Sequence, residues 1–219
     1  EVYSGFYKTG PLFNFMHSDI VPDIVTFGKS FGGGKSSISG YIAKESVFKS
    51  AYGESKYATL HSTTYAGLGE EAATAIKSLE IALRDNYEEK ATNLGKKISD
   101  ILLPLAKKSS LIKSISGKGA LWAIEIELLP LMKIFLLDKI DKRICEKILV
   151  AILIEKLYTK HNILSFFGSN TSIKLIVSMP LISEQKELDH LSKGLNDIFL
   201  NPAGIKRYAI NKGYKFLLK

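Results

Sequence analysis

The chain of 219 residues has little of what marks several classes of protein. It contains a single cysteine, Cys145, and so offers no framework of disulfides, which favours a reducing, cytoplasmic location. The most apolar runs of residues, 128–137 and 148–154, are too short to span a bilayer, and we expect no membrane partner. We predict no metal site.

The charge is unbalanced, with 30 lysines and arginines against 22 acidic residues and a net charge of +8. An excess of this size raises the question of nucleic-acid binding. The lysines, however, are scattered through helical stretches with acids between them: Lys90, Lys96, Lys97, Lys107 and Lys108. This spacing is typical of a solvated surface, and we predict no nucleic-acid partner.

One lysine stands apart from that surface pattern. Residues 24–27 are apolar and predict a buried strand, which ends at Gly28 and delivers Lys29 to a loop containing glycines at 32–34. An ammonium held away from water is costly, and burial favours the neutral amine that attacks carbonyl carbons. Lys29 is therefore the main candidate for Schiff-base chemistry, with an ordinary surface-loop lysine as the simpler alternative.

The run Gly34-Lys35-Ser36 raises a second alternative, the P-loop of nucleotide triphosphatases. That pattern needs a glycine five residues before Gly34, where this chain has Lys29. It also needs a helix directly after Ser36, whereas residues 37–42 predict a turn and a strand. The P-loop is the less favoured hypothesis.

Four motifs occur in order along the chain. They are Glu-Val-Tyr-Ser-Gly-Phe-Tyr-Lys-Thr-Gly at 1–10, Pro-Asp-Ile at 22–24, Lys-Ser-Phe-Gly-Gly-Gly at 29–34 and His-Ser-Thr-Thr-Tyr at 61–65. Together they resemble the class III aminotransferases, enzymes of fold type I that depend on pyridoxal 5'-phosphate (PLP). The resemblance extends from Glu1 to about Phe199.

The resemblance implies a role for five residues. Lys29 would form the aldimine with PLP and then carry the proton between the substrate carbon and the cofactor. Val2 would pack on the cofactor ring, and Tyr3 stands near the phenolic oxygen, where the family usually has glutamine. Thr64 would reach the phosphate of the neighbouring subunit's cofactor, which implies a homodimer. Lys174 stands where the family usually has an arginine that holds a substrate carboxylate.

Thr64 also has a simpler interpretation, as the N-cap of the helix that follows it. The two roles are compatible, because a helix N-terminus favours phosphate. Thr63 is the next candidate for the phosphate contact.

The resemblance implies transamination between an amino acid or amine and an oxo acid or aldehyde. In the family, an aspartate that pairs with the pyridine nitrogen precedes the residue matching Glu1, and a phosphate-binding segment lies further upstream. We therefore expect this chain to be the C-terminal part of a longer protein. The alternative is a catalytically inactive aminotransferase fragment with a structural role or none.

The expected fold class is α/β. The resemblance predicts a portion of the fold type I large domain over 1–85, with a mostly parallel sheet, then a small α+β domain over 86–200 and a basic tail over 201–219. The apolar pattern predicts strands at 24–27, 39–43, 121–126 and 173–177, and helices at 70–84, 87–105, 142–161 and 183–199. The buried face of the first helix is predicted as Ala72, Ala73, Ile76, Leu79 and Leu83. The apolar stripe of the second is predicted as Leu94, Ile98, Ile101, Leu102 and Leu105.

Overall fold

A computed structural model describes residues 1–61, 63–127, 142–169 and 172–211. The chain divides into two compact units, unit 1 (Glu1–Thr92) and unit 2 (Asn93–Lys219). Helices and sheets are mixed along the chain, which agrees with the predicted α/β class. No helix among the described residues has the length and apolar character needed to cross a membrane.

Unit 1 contains a small sheet and two α-helices. Its elements are β1 (Ile24–Phe27), β2 (Gly40–Ala43), α1 (Glu45–Tyr52) and α2 (Gly69–Arg84), with short 3-10 segments at Asn14–His17, Lys29–Gly32 and Ser55–Tyr57. Strands β1 and β2 are antiparallel, with Ile24 opposite Ala43, whereas the sequence predicted mostly parallel pairing. A parallel pair needs a crossover, usually a helix, but here a 3-10 turn and a glycine-rich loop reverse the chain.

An aromatic cluster forms the core of unit 1 around Phe31. The ring of Phe31 lies 4.8 Å from that of Phe27, 5.1 Å from that of Phe6 and 5.6 Å from that of Phe13, between centroids. Phe6, Phe13 and Phe31 are buried. Because Phe31 belongs to the turn that begins at Lys29, this cluster fixes the turn to the core.

The buried face of α2 differs from the predicted one. Ala75 and Ala82 are buried, whereas the side chains of Ile76 and Leu83 are 59% and 69% exposed. The reason is a close approach to the glycine-rich loop, where a Cβ added at Gly33 would collide with the Ser78 hydroxyl. Further apolar side chains of unit 1 are more than half exposed: Ile20, Val21, Ile24, Ile42, Leu60 and Tyr65.

Unit 2 is an α+β arrangement. Helix α3 (Tyr87–Lys108) contains the boundary between the units, and it is followed by β3 (Ile112–Lys118), β4 (Leu121–Ile126), α4 (Lys142–His161), β5 (Phe166–Ser169), β6 (Ile173–Ser178), α5 (Gln185–Phe199) and α6 (Pro202–Asn211). The four strands form one antiparallel sheet in the order β3-β4-β6-β5.

The predicted apolar stripe of α3 is buried at Leu94, Ile98, Leu102 and Leu105. The sequence predicted that this helix ends at residue 105, just after Pro104. The helix instead continues to Lys108. Pro104 lies on the exposed side. The Asp100 carbonyl that loses its donor is therefore free to bond to water, which lowers the cost of a proline there.

The helix predicted at 183–199 begins at Gln185, because Glu184 takes the N-cap position and its backbone N–H donates to Glu187 Oε2 at 2.9 Å. The segment predicted as the start of a tail forms α6. In that helix Ile205 and Tyr208 are buried, and the Tyr208 hydroxyl lies 2.7 Å from Thr159 Oγ1. Residues 212–219 lie outside the described part of the chain.

Helices α4 and α5 are joined by a charged cluster. Lys156 is 5% exposed, and its Nζ lies 2.8 Å from Asp197 Oδ2. His161 Nε2 lies 2.9 Å from the same oxygen. Burial raises the pKa of the Asp197 carboxyl, but hydrogen bonds from Lys156 and His161 outweigh it and hold that pKa below its usual value.

Candidate active site

Lys29 lies where the sequence predicted it, at the end of β1. Strand β1 stops at Phe27, Gly28 is extended, and Lys29 begins the 3-10 turn with φ of 51°. Residues other than glycine seldom adopt this left-handed conformation, and such outliers cluster at functional sites. The sequence predicted a buried strand and therefore a Lys29 amine shielded from water. The Lys29 side chain is instead exposed.

The backbone of the Lys29 turn is held on both sides. Phe31 anchors one end in the aromatic cluster, and Gly33, with φ of 60°, lies against Ser78 of α2 at the other end. A left-handed lysine persists only where the surrounding structure holds it. The turn therefore fixes the Lys29 Cα while leaving the amine free to reach a bound molecule.

The first residues of the chain lie beside β1. The amino group of Glu1 donates to the Thr26 carbonyl at 2.6 Å, and Val2 Cγ1 lies 3.7 Å from the position that a Cβ at Gly28 would take. Val2 and Tyr3 are 42% and 40% exposed. The structure therefore brings Val2 next to the residue preceding Lys29, and Tyr3 follows directly.

The carboxylate of Glu1 is already engaged. It accepts hydrogen bonds from the Ser4 hydroxyl and, at 3.0 Å, from the backbone N–H of Phe15. These bonds fix the N-terminal segment against the following loop.

Thr64 does not cap the helix that follows it. Helix α2 begins at Gly69, its N-cap is Leu68, and no side chain bonds the cap. Thr63 forms the local turn instead, since its Oγ1 accepts from the Tyr65 N–H at 3.3 Å. Thr64 is exposed and its hydroxyl bonds to none of the described residues. The N-cap interpretation is therefore wrong.

Lys174 lies on β6 directly opposite Glu125 of β4. The Glu125 carboxylate accepts from Lys113 Nζ at 2.7 Å and from Ser114 Oγ at 2.8 Å. These two hydrogen bonds lower the pKa of Glu125, and the nearby charge of Lys174 adds to the effect. Two cations thus face the Glu125 carboxylate, and this carboxylate partly screens the charge of Lys174.

The glycine-rich loop does not have the geometry of a P-loop. After Ser36 the chain enters β2, and the next helix begins only at Glu45. The N-terminal turn of a helix, which a P-loop uses to hold phosphate, does not follow the loop.

Two polar groups in or near the motifs are buried in a way that the sequence did not indicate. The Ser36 hydroxyl is buried without a hydrogen-bond partner in the described structure, and it lies 3.4 Å from where a Cβ at Gly32 would be. Lys8, inside the first motif, is half-buried, and burial lowers its pKa. Their positions near the glycines of two motifs were the available signal, but burial depends on contacts that a sequence does not display.

Comparison with known proteins shows which protein family the sequence matches. Residues 1–198 match the family described as aminotransferase class III. An acetylornithine aminotransferase of Caldanaerobacter subterraneus is 32% identical over 200 residues, which is 90% of this chain and 43% of that protein. An uncharacterized aminotransferase of Schizosaccharomyces pombe is 36% identical over 126 residues, 58% of this chain and 27% of that protein. The chain thus spans less than half the length of these curated relatives.

Solved structures share the fold. A transaminase from the marine bacterium Virgibacillus has a TM-score of 0.74 at 21% identity, covering 97% of this chain and 45% of that one. A Bacillus anthracis aminotransferase has a TM-score of 0.73 at 24% identity, covering 94% of this chain and 44% of that one. These likenesses confirm the predicted fold class.

Proposed function

Because the chain belongs to the class III aminotransferases, we propose that the whole protein transfers an amino group between an amino acid or amine and an oxo acid or aldehyde. The family depends on PLP, and we propose PLP as the cofactor. The observation that carries the proposal is the meeting of Val2 with the Lys29 turn at the end of β1.

The residues at this point fit PLP. Val2 offers an apolar surface to a flat ring, Tyr3 offers a phenolic hydroxyl for a hydrogen bond to the ring's oxygen, and Lys29 offers an amine. When bound, PLP supplies an aldehyde carbon and an electron-withdrawing ring. The partial exposure of Val2 and Tyr3 leaves surface for such a molecule to cover.

The proposed role of Lys29 is to bind the cofactor and then to carry a proton on Nζ. Both tasks require the amine to stay within reach of one carbon atom. The anchored backbone of the turn supports this, because Phe31 and Gly33 hold the Lys29 Cα in place. Val2 would exclude water from one side of the reacting centre.

Lys174 is the proposed contact for a substrate carboxylate. A lysine ammonium is a point charge without the two-pronged geometry of arginine, and Glu125 further screens it. Recognition of a carboxylate by this residue would be weak. The proposal therefore includes amines as donors alongside amino acids.

We also propose a homodimer in which Thr64 of one subunit reaches the cofactor phosphate of the other. The exposed hydroxyl of Thr64, which bonds to none of the described residues, supports a contact made outside its own subunit. A cytoplasmic location is part of the proposal, in keeping with the single cysteine.

A catalytically inactive family member is the second candidate. It is favoured by tyrosine at position 3 and lysine at position 174, where the family usually has glutamine and arginine. The two candidates differ in whether the protein, once PLP is bound at Lys29, transfers an amino group.

The test is borohydride reduction of the whole protein after incubation with PLP, followed by mass spectrometry of its peptides. We expect a reduced pyridoxyl group on Lys29, together with half-transamination of an amino donor in single turnover. Lys29→Arg, which keeps the charge, should abolish both. Label on other lysines only, or none, would contradict the proposed site, whereas labelled but inactive protein would favour the inactive family member.

A further inference from the structure

Unit 2 contains a cavity that plays no part in the proposed transamination. It lies between the end of α4, strand β6 and the first turns of α5, and its volume is about 270 Å³. Most of its wall is apolar: Leu157, Ile163, Leu175, Val177, Leu191 and Leu195. An engineered apolar cavity of about 150 Å³ holds benzene, so this one has room for a substituted ring.

A single buried hydroxyl interrupts this apolar wall. Ser165 lines the cavity, and its Oγ is buried without a hydrogen-bond partner in the described part of the chain. A buried hydroxyl without a partner destabilises the folded state. A serine side chain has three staggered positions about χ1, and a change from one to another, a rotation of about 120°, would turn Oγ toward a molecule in the cavity. The unmet hydrogen bond thus points to a ligand.

The mouth and the apolar wall of the cavity together indicate which charge a ligand can carry. Leu164, 86% exposed, and His190 lie at the opening, together with Glu187. The hydrogen bond from the backbone N–H of Glu184 lowers the pKa of Glu187, which keeps this carboxyl ionised at neutral pH. Lys186 Nζ lies 3.5 Å from Glu187 Oε1 and offsets its charge. A charged ligand of either sign would have to leave water for the apolar wall, which is costly.

We propose that this cavity binds a small uncharged molecule with an apolar body and one hydroxyl group, which pairs with the Ser165 hydroxyl. The apolar wall would hold the body of the ligand, and the hydrogen bond would fix its orientation. The site lies within unit 2 and uses none of Lys29, Val2, Tyr3, Thr64 or Lys174.

Three matched probes test the proposal on the full chain by ligand-observed NMR and calorimetry. They are 4-methylphenol, toluene, which lacks the hydroxyl, and 4-methylbenzoate, which carries a charge. We expect 4-methylphenol to bind about two- to tenfold more tightly than toluene, the value of one neutral hydrogen bond. The benzoate should bind most weakly. Absence of 4-methylphenol binding at millimolar concentration would overturn the proposal.

Two serine variants separate a ligand-binding role from a structural one. Ser165→Ala should reduce the affinity for 4-methylphenol to that for toluene, leave toluene binding unchanged and raise the melting temperature of the free protein. Ser178→Ala is the matched control, since Ser178 lines the same cavity but is exposed, and it should change neither ratio nor melting temperature. An unchanged affinity ratio in Ser165→Ala, or a fall in its melting temperature, would show that the hydroxyl serves the protein alone.

Discussion

The side chain of Val2 lies against the backbone of Gly28, with Cγ1 3.7 Å from the position that a Cβ at residue 28 would take. Ser39 and Ile38 enclose the same position at 3.4 and 3.6 Å. The φ of Gly28 is 174°, an extended conformation open to any residue. Space, and not backbone strain, therefore limits what residue 28 can be.

This contact predicts how cofactor binding responds to bulk at Gly28. A Cβ makes ordinary contacts there, so Gly28→Ala in the whole protein should retain PLP nearly as well as wild type. Gly28→Leu would push Val2 aside and should weaken PLP binding about tenfold, the scale of modest overpacking. Spectroscopic titration with PLP measures both. Equal affinity for PLP in wild type and Gly28→Leu would show that Val2 does not pack on the cofactor ring.

The left-handed conformation of Lys29 predicts a stability difference between two variants at this position. Lys29→Ala keeps a Cβ at φ of 51°, whereas Lys29→Gly removes it. We expect the glycine variant to be more stable by about 1 kcal/mol, since left-handed conformations penalise residues with a Cβ by that order. Denaturant unfolding of this chain gives the two free energies. A more stable alanine variant would show that residue 29 does not stay left-handed.

The proposed contact between Thr64 and the cofactor phosphate of the other subunit predicts that two subunits share each site. Thr64→Ala should weaken PLP retention by about tenfold or more, the value of a hydrogen bond to a charged group. Mixed Lys29→Ala and Thr64→Ala proteins should recover activity after subunit exchange, because one site of each mixed dimer keeps both residues. Confirmed exchange without recovery would place Thr64 in its own subunit's site or in none.

The cluster of Lys156, His161 and Asp197 predicts a dependence of stability on pH. Asp197→Asn leaves the buried Lys156 ammonium without its partner and should cost about 2–4 kcal/mol at pH 7, reduced by the partial exposure of Asp197. The pKa of Asp197 is lowered on folding. Its stabilisation is therefore present above the usual aspartate pKa of about 3.9 and is lost as the pH falls further.

Unfolding of wild type and Asp197→Asn between pH 3 and pH 7 measures this difference. Lys156→Met is the control, because it removes the buried charge together with the need for a partner, and it should cost less than Asp197→Asn. A constant difference across the pH range would show that the carboxylate charge is not what stabilises the pair.

Helix α3 has no room for a side chain at position 95, which Gly95 occupies. A Cβ there would lie 2.8 Å from the Cα and N of Gly119, in the turn between β3 and β4. Gly95→Ala should lower the free energy of unfolding by about 1–3 kcal/mol through forced displacement of backbone. Gly69→Ala, at the start of α2 with open space around it, is the control and should be neutral or stabilising. Equal stabilities would mean that the turn shifts freely.

The sequence predicted those parts of the structure that depend on the type and the spacing of neighbouring residues. Glycines beside one lysine marked the Lys29 turn, and the apolar period of α3 marked its buried stripe. The face of α2 was missed because Ala75 and Ala82 are small, and only contact with the loop around Gly33 buries them. Residues far apart in sequence make that contact, so helical periodicity does not reveal it.

The bond between the Glu1 amino group and Thr26 shows what sequence motifs leave undefined. The first motif gave candidate residues, and their position beside β1 depends on pairing across 25 positions of chain. The role of Glu1 was likewise hidden, because its partners Ser4 and Phe15 are ordinary residues in the sequence.

The exposed apolar side chains of unit 1 affect how this chain must be handled in solution. Val21, Leu60 and Leu83 are among its exposed apolar side chains, and exposed apolar surface promotes aggregation where it is contiguous. Light scattering of the isolated chain will therefore report self-association whatever the native assembly is. The proposed dimer must be measured on the whole protein, and purification of this chain alone calls for low concentration and mild detergent.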